Sequence, residues 1–254
     1  MMYIKNANLP EDTSLVLLGE EYGYLSTELE ALGISSITVP QNPYIDKRLA
    51  SHADLSVFFA GSNKLYLAPH LRNTNFSKLI EELGFETVYL EISQSAEYPN
   101  DCQFNVCIWN RNILYNEHTA ERRIISDYIS QKEILQLKCK QGYCKCMVSV
   151  VDSNSIITSD PGIAKVCEEQ GIDVLKIEPG HIDLDGFDYG FIGGASFKSS
   201  KNTMIFTGSL DMHPDKDTIL NFLSKRNIMP KYLTNKKIFD VGSIFPIIEK
   251  NNAD

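Results

Sequence analysis

The sequence predicts an α/β fold: a closed ring of about five ββαβ units forming one domain over residues 1–254. Three observations carry that expectation. A phrase recurs at distant places, LEALGISSITVP at 29–40, IEELGFETVYLE at 80–91 and CEEQGIDVLKIE at 167–178, with a looser copy, FLSKRNIMPKYL, at 222–233. Two short β-rich runs separated by turn residues precede most of the helical stretches. An unmatched β-rich run at 240–248 stands ready for a first unit that lacks its opening strand.

Each phrase is an amphipathic helix end, a glycine, an apolar residue and a β-rich run. Only glycine takes the left-handed position after a helix cheaply, so Gly33, Gly84 and Gly171 read as helix stops, with Asn227 the tolerated substitute. A spacing of about 45–55 residues points to one supersecondary module used repeatedly. The first unit is read as a strand at 15–18, a helix at 26–32 and a strand at 35–39. The second gives strands at 55–60 and 64–68 around the turn Gly61-Ser62-Asn63, a helix at 75–83 and a strand at 87–91. The third gives strands at 104–109 and 113–115, a helix at 119–129 and a strand at 133–138.

In the fourth unit, strands at 147–151 and 155–158 lead to a helix with Asp160 as N-cap and Pro161 in its first turn, then a strand at 174–177. The fifth is read as a strand at 189–192, a loop FKSSKN, a strand at 204–207 and a helix at 215–226 entered through His213-Pro214-Asp215. Pairing the last strand with the first unit would close the ring and remove exposed sheet edges.

Composition bounds the function. A hydrophobic content of 43% over 254 residues supports a sizeable core. No apolar run reaches the ~18 residues of a membrane span, and the N-terminal stretch lacks a secretory apolar core, so a cytoplasmic address and no membrane partner are expected. The net charge of −9, without a basic cluster, argues against a nucleic-acid partner. The six cysteines read as thiols. Gly190, Gly193 and Gly194 lack the spacing of a dinucleotide loop, and no Walker loop is present. Cys139, Cys144 and Cys146 follow C-x₄-C-x-C, which is no recognised ligand spacing, so neither a metal nor a cofactor is expected.

Five ββαβ units closed in a ring, with GHID at 180–183, resemble the pentein superfamily, the guanidino-group-modifying enzymes of five-bladed α/β-propeller fold and pseudo-fivefold symmetry. QGYCKC, SDPGIAK, EPGHIDLDGFDYGFIGGASF and MHPD are similar to an uncharacterised bacterial family of that fold. The resemblance implies a cysteine of the last unit attacking a guanidinium carbon, a histidine moving protons and carboxylates holding the cation. His181 and Asp183 match the His-x-Asp element of the agmatine deiminase type. Two positions depart: the acidic Glu-Gly-Gly element falls on Gln141-Gly142-Tyr143, and the nucleophile falls on Ser243.

In such a propeller the starts of the first strands, near 51–54, 100–102, 141–146, 187–190 and 239–243, point into one central channel. They would gather His52, Asp54, Asp101, Cys144, Lys145, Cys146, Asp188, Asp240 and Ser243, joined by His181 and Asp183. On a strand, Cys144 and Cys146 would share one face and Lys145 the other. Gly193 and Gly194 fit either a bend in a crowded strand or amides offered to an anionic group. The leading expectation is a pentein-like protein binding a small polar, guanidino- or amino-acid-like molecule without the usual cysteine catalysis. One alternative is a hydrolase with a relocated nucleophile, Cys144 or Cys146, served by His181; another is a non-catalytic interaction protein. Oligomeric state is not legible.

Overall fold

Five small sheets, each wrapped by the helix of its own unit, make up the chain. The computed structural model describes residues 2–130 and 133–251; residues 1, 131–132 and 252–254 of the expected single domain lie outside the described residues. Strands β1 (Met2–Tyr3), β2 (Thr13–Gly19) and β3 (Ser35–Val39) belong to the first sheet, with helix α1 (Ser26–Ala31) between the last two. The second sheet holds β4 (Val57–Phe59), β5 (Lys64–Leu67) and β6 (Glu86–Tyr89) with α2 (Asn75–Glu82). The third holds β7 (Cys107–Trp109), β8 (Asn112–Tyr115) and β9 (Leu135–Lys138) with α3 (Arg122–Ile129).

A helical turn, α4 (Cys144–Met147), leads into the fourth sheet, β10 (Val148–Asp152), β11 (Ser155–Thr158) and β12 (Asp173–Lys176), with α5 (Pro161–Glu168). The fifth sheet is β13 (Ser196–Ser200), β14 (Thr203–Phe206) and β15 (Met229–Tyr232), with α6 (Lys216–Ser224). In each of the second to fifth sheets the first strand pairs antiparallel with the second, and the second pairs parallel with the third. The last strand, β16 (Phe245–Glu249), supplies the opening strand of the first unit: it runs antiparallel to β2 in the order β1-β16-β2-β3.

The left-handed stops sit where the repeat placed them, with φ of 74° at Gly33, 83° at Gly84, 76° at Gly171 and 56° at Asn227. A fifth stop, Glu133 at φ 62°, completes the series in the third unit, again followed by an apolar residue, Ile134. Helix starts are capped locally: Asp160 Oδ1 accepts from Ile163 N at 2.7 Å, and Thr74 Oγ1 accepts from Ser77 N at 3.1 Å.

Apolar packing runs from sheet to sheet and returns. Leu17 and Phe245 of the first sheet share a buried cluster with Phe58 of the second and Ile113 of the third. Trp109 packs with Val148 and Ile156 across the third and fourth sheets, and Val151 with Met204 and Phe206 across the fourth and fifth. Phe197 and Ile205 of the fifth meet Val16 and Leu18 of the first.

Three local expectations are corrected. Residues 189–192 form no strand; the opening strand of the fifth unit is β13, with Lys201-Asn202 turning the hairpin. Gly193 and Gly194 explain why: a Cβ at Gly193 would stand 2.3 Å from Val148 O, and one at Gly194 would stand 1.9 Å from Asp240 Oδ1. Those positions serve close approach between units, so strand pairing begins only after them. Cys144–Met147 is helical, which removes the strand alternation expected for Cys144, Lys145 and Cys146. The C-terminal strand begins at Phe245, after a left-handed pair, Gly242 at φ 66° and Ser243 at φ 69°.

Candidate active site

The starts of the second, fourth and first sheets' opening strands converge on one buried polar group. A short 3₁₀ turn (Ala53–Leu55) carries Asp54, α4 carries Lys145 and Cys146, and the bend before β16 carries Asp240 and Ser243. All five side chains are buried, as is His52, which immediately precedes the turn. Asp54 Oδ2 accepts from Ser243 Oγ at 2.5 Å and from Cys146 Sγ at 2.9 Å. Lys145 Nζ donates to Ser243 Oγ at 3.3 Å and stands 5.6 Å from the Phe245 ring centroid. The ammonium thus sits among a hydroxyl, a ring and a nearby carboxylate, which is how a buried charge is tolerated.

Backbone geometry fixes this group. Asn105 Oδ1 accepts from the amides of Lys145 (2.6 Å) and Cys146 (3.1 Å), holding the turn open, while its Nδ2 donates to Cys146 Sγ at 3.1 Å. Asp240 accepts from Gly242 N at 2.8 Å through one oxygen and from Phe191 N at 2.9 Å through the other. Glycine is required at 242 on two counts: its positive φ, and the His52 ring that a Cβ would meet at 2.2 Å. Gly193 and Gly194 act by close packing against α4 and Asp240. Gly194 also accepts from Val241 N at 3.0 Å and donates to Cys146 O at 3.0 Å.

Burial sets the charge states. It pushes Asp240 up from 3.8 to about 6, against the two amide hydrogen bonds that favour its ionised form. It lowers the His52 imidazole, so the ring is neutral near pH 7. Burial, and then the Asp54 charge, push the Cys146 thiol well above its ordinary range. Cys144 is pushed up by burial as well, and faces Cys139 at 3.4 Å between the sulfurs, away from Asp54.

Two cavities meet at Asp240. The inner one, about 110 Å³, is walled by Tyr143, Phe187, Tyr189 and Phe191 and has His52, Cys146 and Asp240 among its lining. The outer one, about 540 Å³, is acidic, lined by Asp183, Asp185, Asp188 and Asp240 together with Tyr22 and Tyr24. Leu184 and Phe187 belong to both. The segment between them is fastened by Arg48, whose Nη1 donates to Gly186 O at 2.7 Å and whose guanidinium lies 4.2 Å from the Phe187 ring centroid.

Of the residues singled out from sequence, His52, Asp54, Lys145, Cys146, Asp240 and Ser243 come together, with Gly193 and Gly194 packed against them. Asp183 and Asp188 line the outer cavity. His181 stands elsewhere: its Nε2 is 3.8 Å from Glu178 and its ring is edge-on to His213 at 5.5 Å. The GHID segment instead holds the 238–240 stretch, because Asp183 N donates to Ile238 O at 3.0 Å and Asp240 N donates to Asp183 O at 2.8 Å. Asp183's carboxylate pairs with Lys237 at 2.5 Å. Gln141 faces a different, larger cavity of about 820 Å³ beside Cys139 and Asp160.

Sequence reading missed Asn105, Tyr143 and Phe191. Asn105 had one visible signal, a polar residue inside the apolar run FNVCIW; Asp101, which did stand out, accepts from Tyr143 Oη at 2.5 Å.

The fold of this chain is similar to that of several solved enzyme structures. Its structure aligns with agmatine deiminase from C. jejuni at 12% identity and a TM-score of 0.56, covering 97% of this chain and 96% of that one. It aligns with an amidinotransferase of the saxitoxin pathway from Microseira wollei at 11% identity and a TM-score of 0.58, covering 99% and 98%. A citrulline complex of DDAH from Pseudomonas aeruginosa aligns at 11% identity and a TM-score of 0.53, covering 93% and 100%. No protein of curated function matches the sequence. Residues 19–245 match the model of a family of unknown function, DUF6873, and the chain belongs to that family.

Proposed function

We propose that the five sheets form the blades of a closed pentein-type propeller that binds a small cationic molecule, guanidino- or amino-acid-like, at Asp240. The observation that carries the reading is the position of this one carboxylate, shared by an aromatic inner cavity and an acidic outer basin. Aromatic faces attract a guanidinium or ammonium, and an acidic basin raises the local concentration of cations at its mouth. The inner cavity suits a head group, being smaller than the ~300 Å³ at which whole-ligand pockets begin. The 540 Å³ basin suits the remainder of the molecule. The DDAH structure named above holds citrulline, a polar amino acid.

The reading excludes the usual nucleophile of the last unit. Ser243 is wholly buried, donates to Asp54 and lines neither cavity. A second reading, thiol-based hydrolysis, is favoured by Cys146, which lines the inner cavity with His52 rather than His181 as the available imidazole. Its thiol would need activation, because burial holds it protonated.

The test is a thermal-shift and calorimetric screen of arginine, agmatine and guanidinium at millimolar concentration. A ligand at 100 times its Kd stabilises by about 2.7 kcal/mol, and Asp240→Asn should abolish the shift. No shift with any cation would overturn the reading and leave an interaction protein. Product formation with the wild-type chain but not with Cys146→Ser would establish the hydrolase.

A further inference from the structure

The buried group at the inner cavity leaves two polar atoms without partners among the described residues, Nε2 of His52, which lines the cavity, and Oδ1 of Asp54, which lies behind Cys146. His52 is 3% exposed and Asp54 is 0% exposed, so solvent does not satisfy either. A buried polar atom left unpaired costs about 1–3 kcal/mol, and two such atoms on residues of one buried cluster call for a partner. Cys146, 2% exposed, adds a third donor. One ligand atom from each of the three residues lies within 4.8 Å of the others.

We propose that His52, Asp54 and Cys146 hold one divalent ion of the zinc class. Imidazole nitrogen, carboxylate oxygen and thiolate sulfur are the three donor types such an ion takes, and a set of three leaves a fourth position open. That position faces the inner cavity, since His52 and Cys146 both line it. Asp54 divides its oxygens accordingly: Oδ2 accepts from Ser243 and Cys146, and Oδ1 is the atom left for the metal. On binding, the Cys146 proton now shared with Asp54 leaves for solvent and the thiolate takes the ion. Asn105 Nδ2, donating to Cys146 Sγ, supports that thiolate from outside, as the outer partners of metal ligands do. Charge is offset locally: the Asp54 carboxylate and the thiolate, with ionised Asp240 close by, oppose the ion and the Lys145 ammonium.

The inference does not rest on a cationic ligand and survives its failure. Spacing could not have revealed it, because the cysteine cluster legible in sequence splits: Cys139 and Cys144 face each other, and only Cys146 reaches His52 and Asp54.

The experiment uses chelator-treated, reduced full-length chain titrated with Co²⁺ and then displaced by Zn²⁺. One cobalt per chain is expected, with a thiolate-to-cobalt charge-transfer band and the intense visible bands of tetrahedral cobalt. Cys146→Ser should lose the charge-transfer band, and it and His52→Gln should each weaken binding at least tenfold; Cys167→Ser should bind as wild type. If Cys146→Ser does not fold, zinc-edge X-ray absorption on the wild-type chain decides, with one sulfur among nitrogen and oxygen neighbours expected. No stoichiometric cobalt uptake, an undiminished band in Cys146→Ser, or a zinc shell without sulfur would each overturn the site and leave an ordered water as the missing partner. Cobalt binding without any cation-induced stabilisation sinks the ligand reading alone; the converse sinks the metal alone.

Discussion

Two histidines in this chain show how little a motif says without its surroundings. His181 lies in GHID, the text that most resembles a catalytic element, yet its side chain is 39% exposed and its neighbours are Glu178 and His213. His52 lies in no motif, is fully desolvated, and meets a carboxylate, a thiol and a cavity floor. The difference comes from topology. Strand starts from separate units meet in one place, whereas the loop after β12 leaves His181 outside that group and brings only its later residues, Asp183 to Asp188, to the cavities. GHID matters through its backbone, which anchors the stretch that ends in Asp240.

The largest expected break is at the buried group. Gly193→Ala would drive a Cβ against the carbonyls of Val148, Lys145 and Cys146 at 2.3–2.7 Å, none of which is free to move. Overpacking of this kind should cost about 3 kcal/mol or more in chemical denaturation. Asp54→Ala removes the acceptor of Ser243 and Cys146 and leaves Lys145 less compensated, so a loss of about 3 kcal/mol is expected. His181→Ala, by contrast, should stay within about 0.5 kcal/mol of wild type. A loss at His181 as large as at Asp54 would erase the distinction between the two neighbourhoods.

Acidity sharpens the comparison. Asp240 has its pKa raised from 3.8 to about 6 by burial, so the folded chain binds a proton that the unfolded chain has released between those values. Its contribution to stability is complete below about pH 4 and is lost as pH rises through about 6. Asp240→Asn should flatten that part of the stability profile. In the proposed ligand reading, cation affinity should change in the opposite sense, rising as Asp240 ionises through about pH 6. Both slopes are measurable by denaturation and calorimetry at pH 5 and pH 7.

The smallest effects test the repeat itself. Gly171 at φ 76° has nothing within 4 Å of where a Cβ would stand, so Gly171→Ala isolates the backbone term and should cost about 1 kcal/mol. Glu133→Gly should work the other way, stabilising by up to about 1 kcal/mol, less whatever the exposed Arg111 ion pair contributes.

Glu133 also marks where reading the sequence stopped. Gly33, Gly84, Gly171 and Asn227 were legible as helix stops because their residue types are cheap in the left-handed region. Glu133 adopts the same conformation at a residue type that gives no local sign of it. The pairing of β16 with the first sheet was legible because the first unit had an empty place for it. The start of the fifth unit was not, because Tyr189 to Ile192 has strand composition but is held by glycine contacts to Asp240 and α4. The site divides in the same way. Of the five segments expected to converge, those near 51–54, 141–146 and 239–243 bring His52, Asp54, Lys145, Cys146, Asp240 and Ser243 together. Asp101 of 100–102 instead bonds Tyr143, Asp188 of 187–190 lines the outer cavity and Cys144 faces Cys139. Asn105 and Phe191 are bound to the group through tertiary contacts at sequence separations of 40 and 49 residues, which no local pattern encodes. Tyr143, though inside the 141–146 segment, carries no sign in its residue type of its bond to Asp101.

A crystal structure of the chain grown with arginine tests the account most directly. It should show the guanidinium against Asp240 within the ring of Tyr143, Tyr189 and Phe191. Arginine seated on His181 and Glu178, with the Asp240 cavity unchanged, would contradict it.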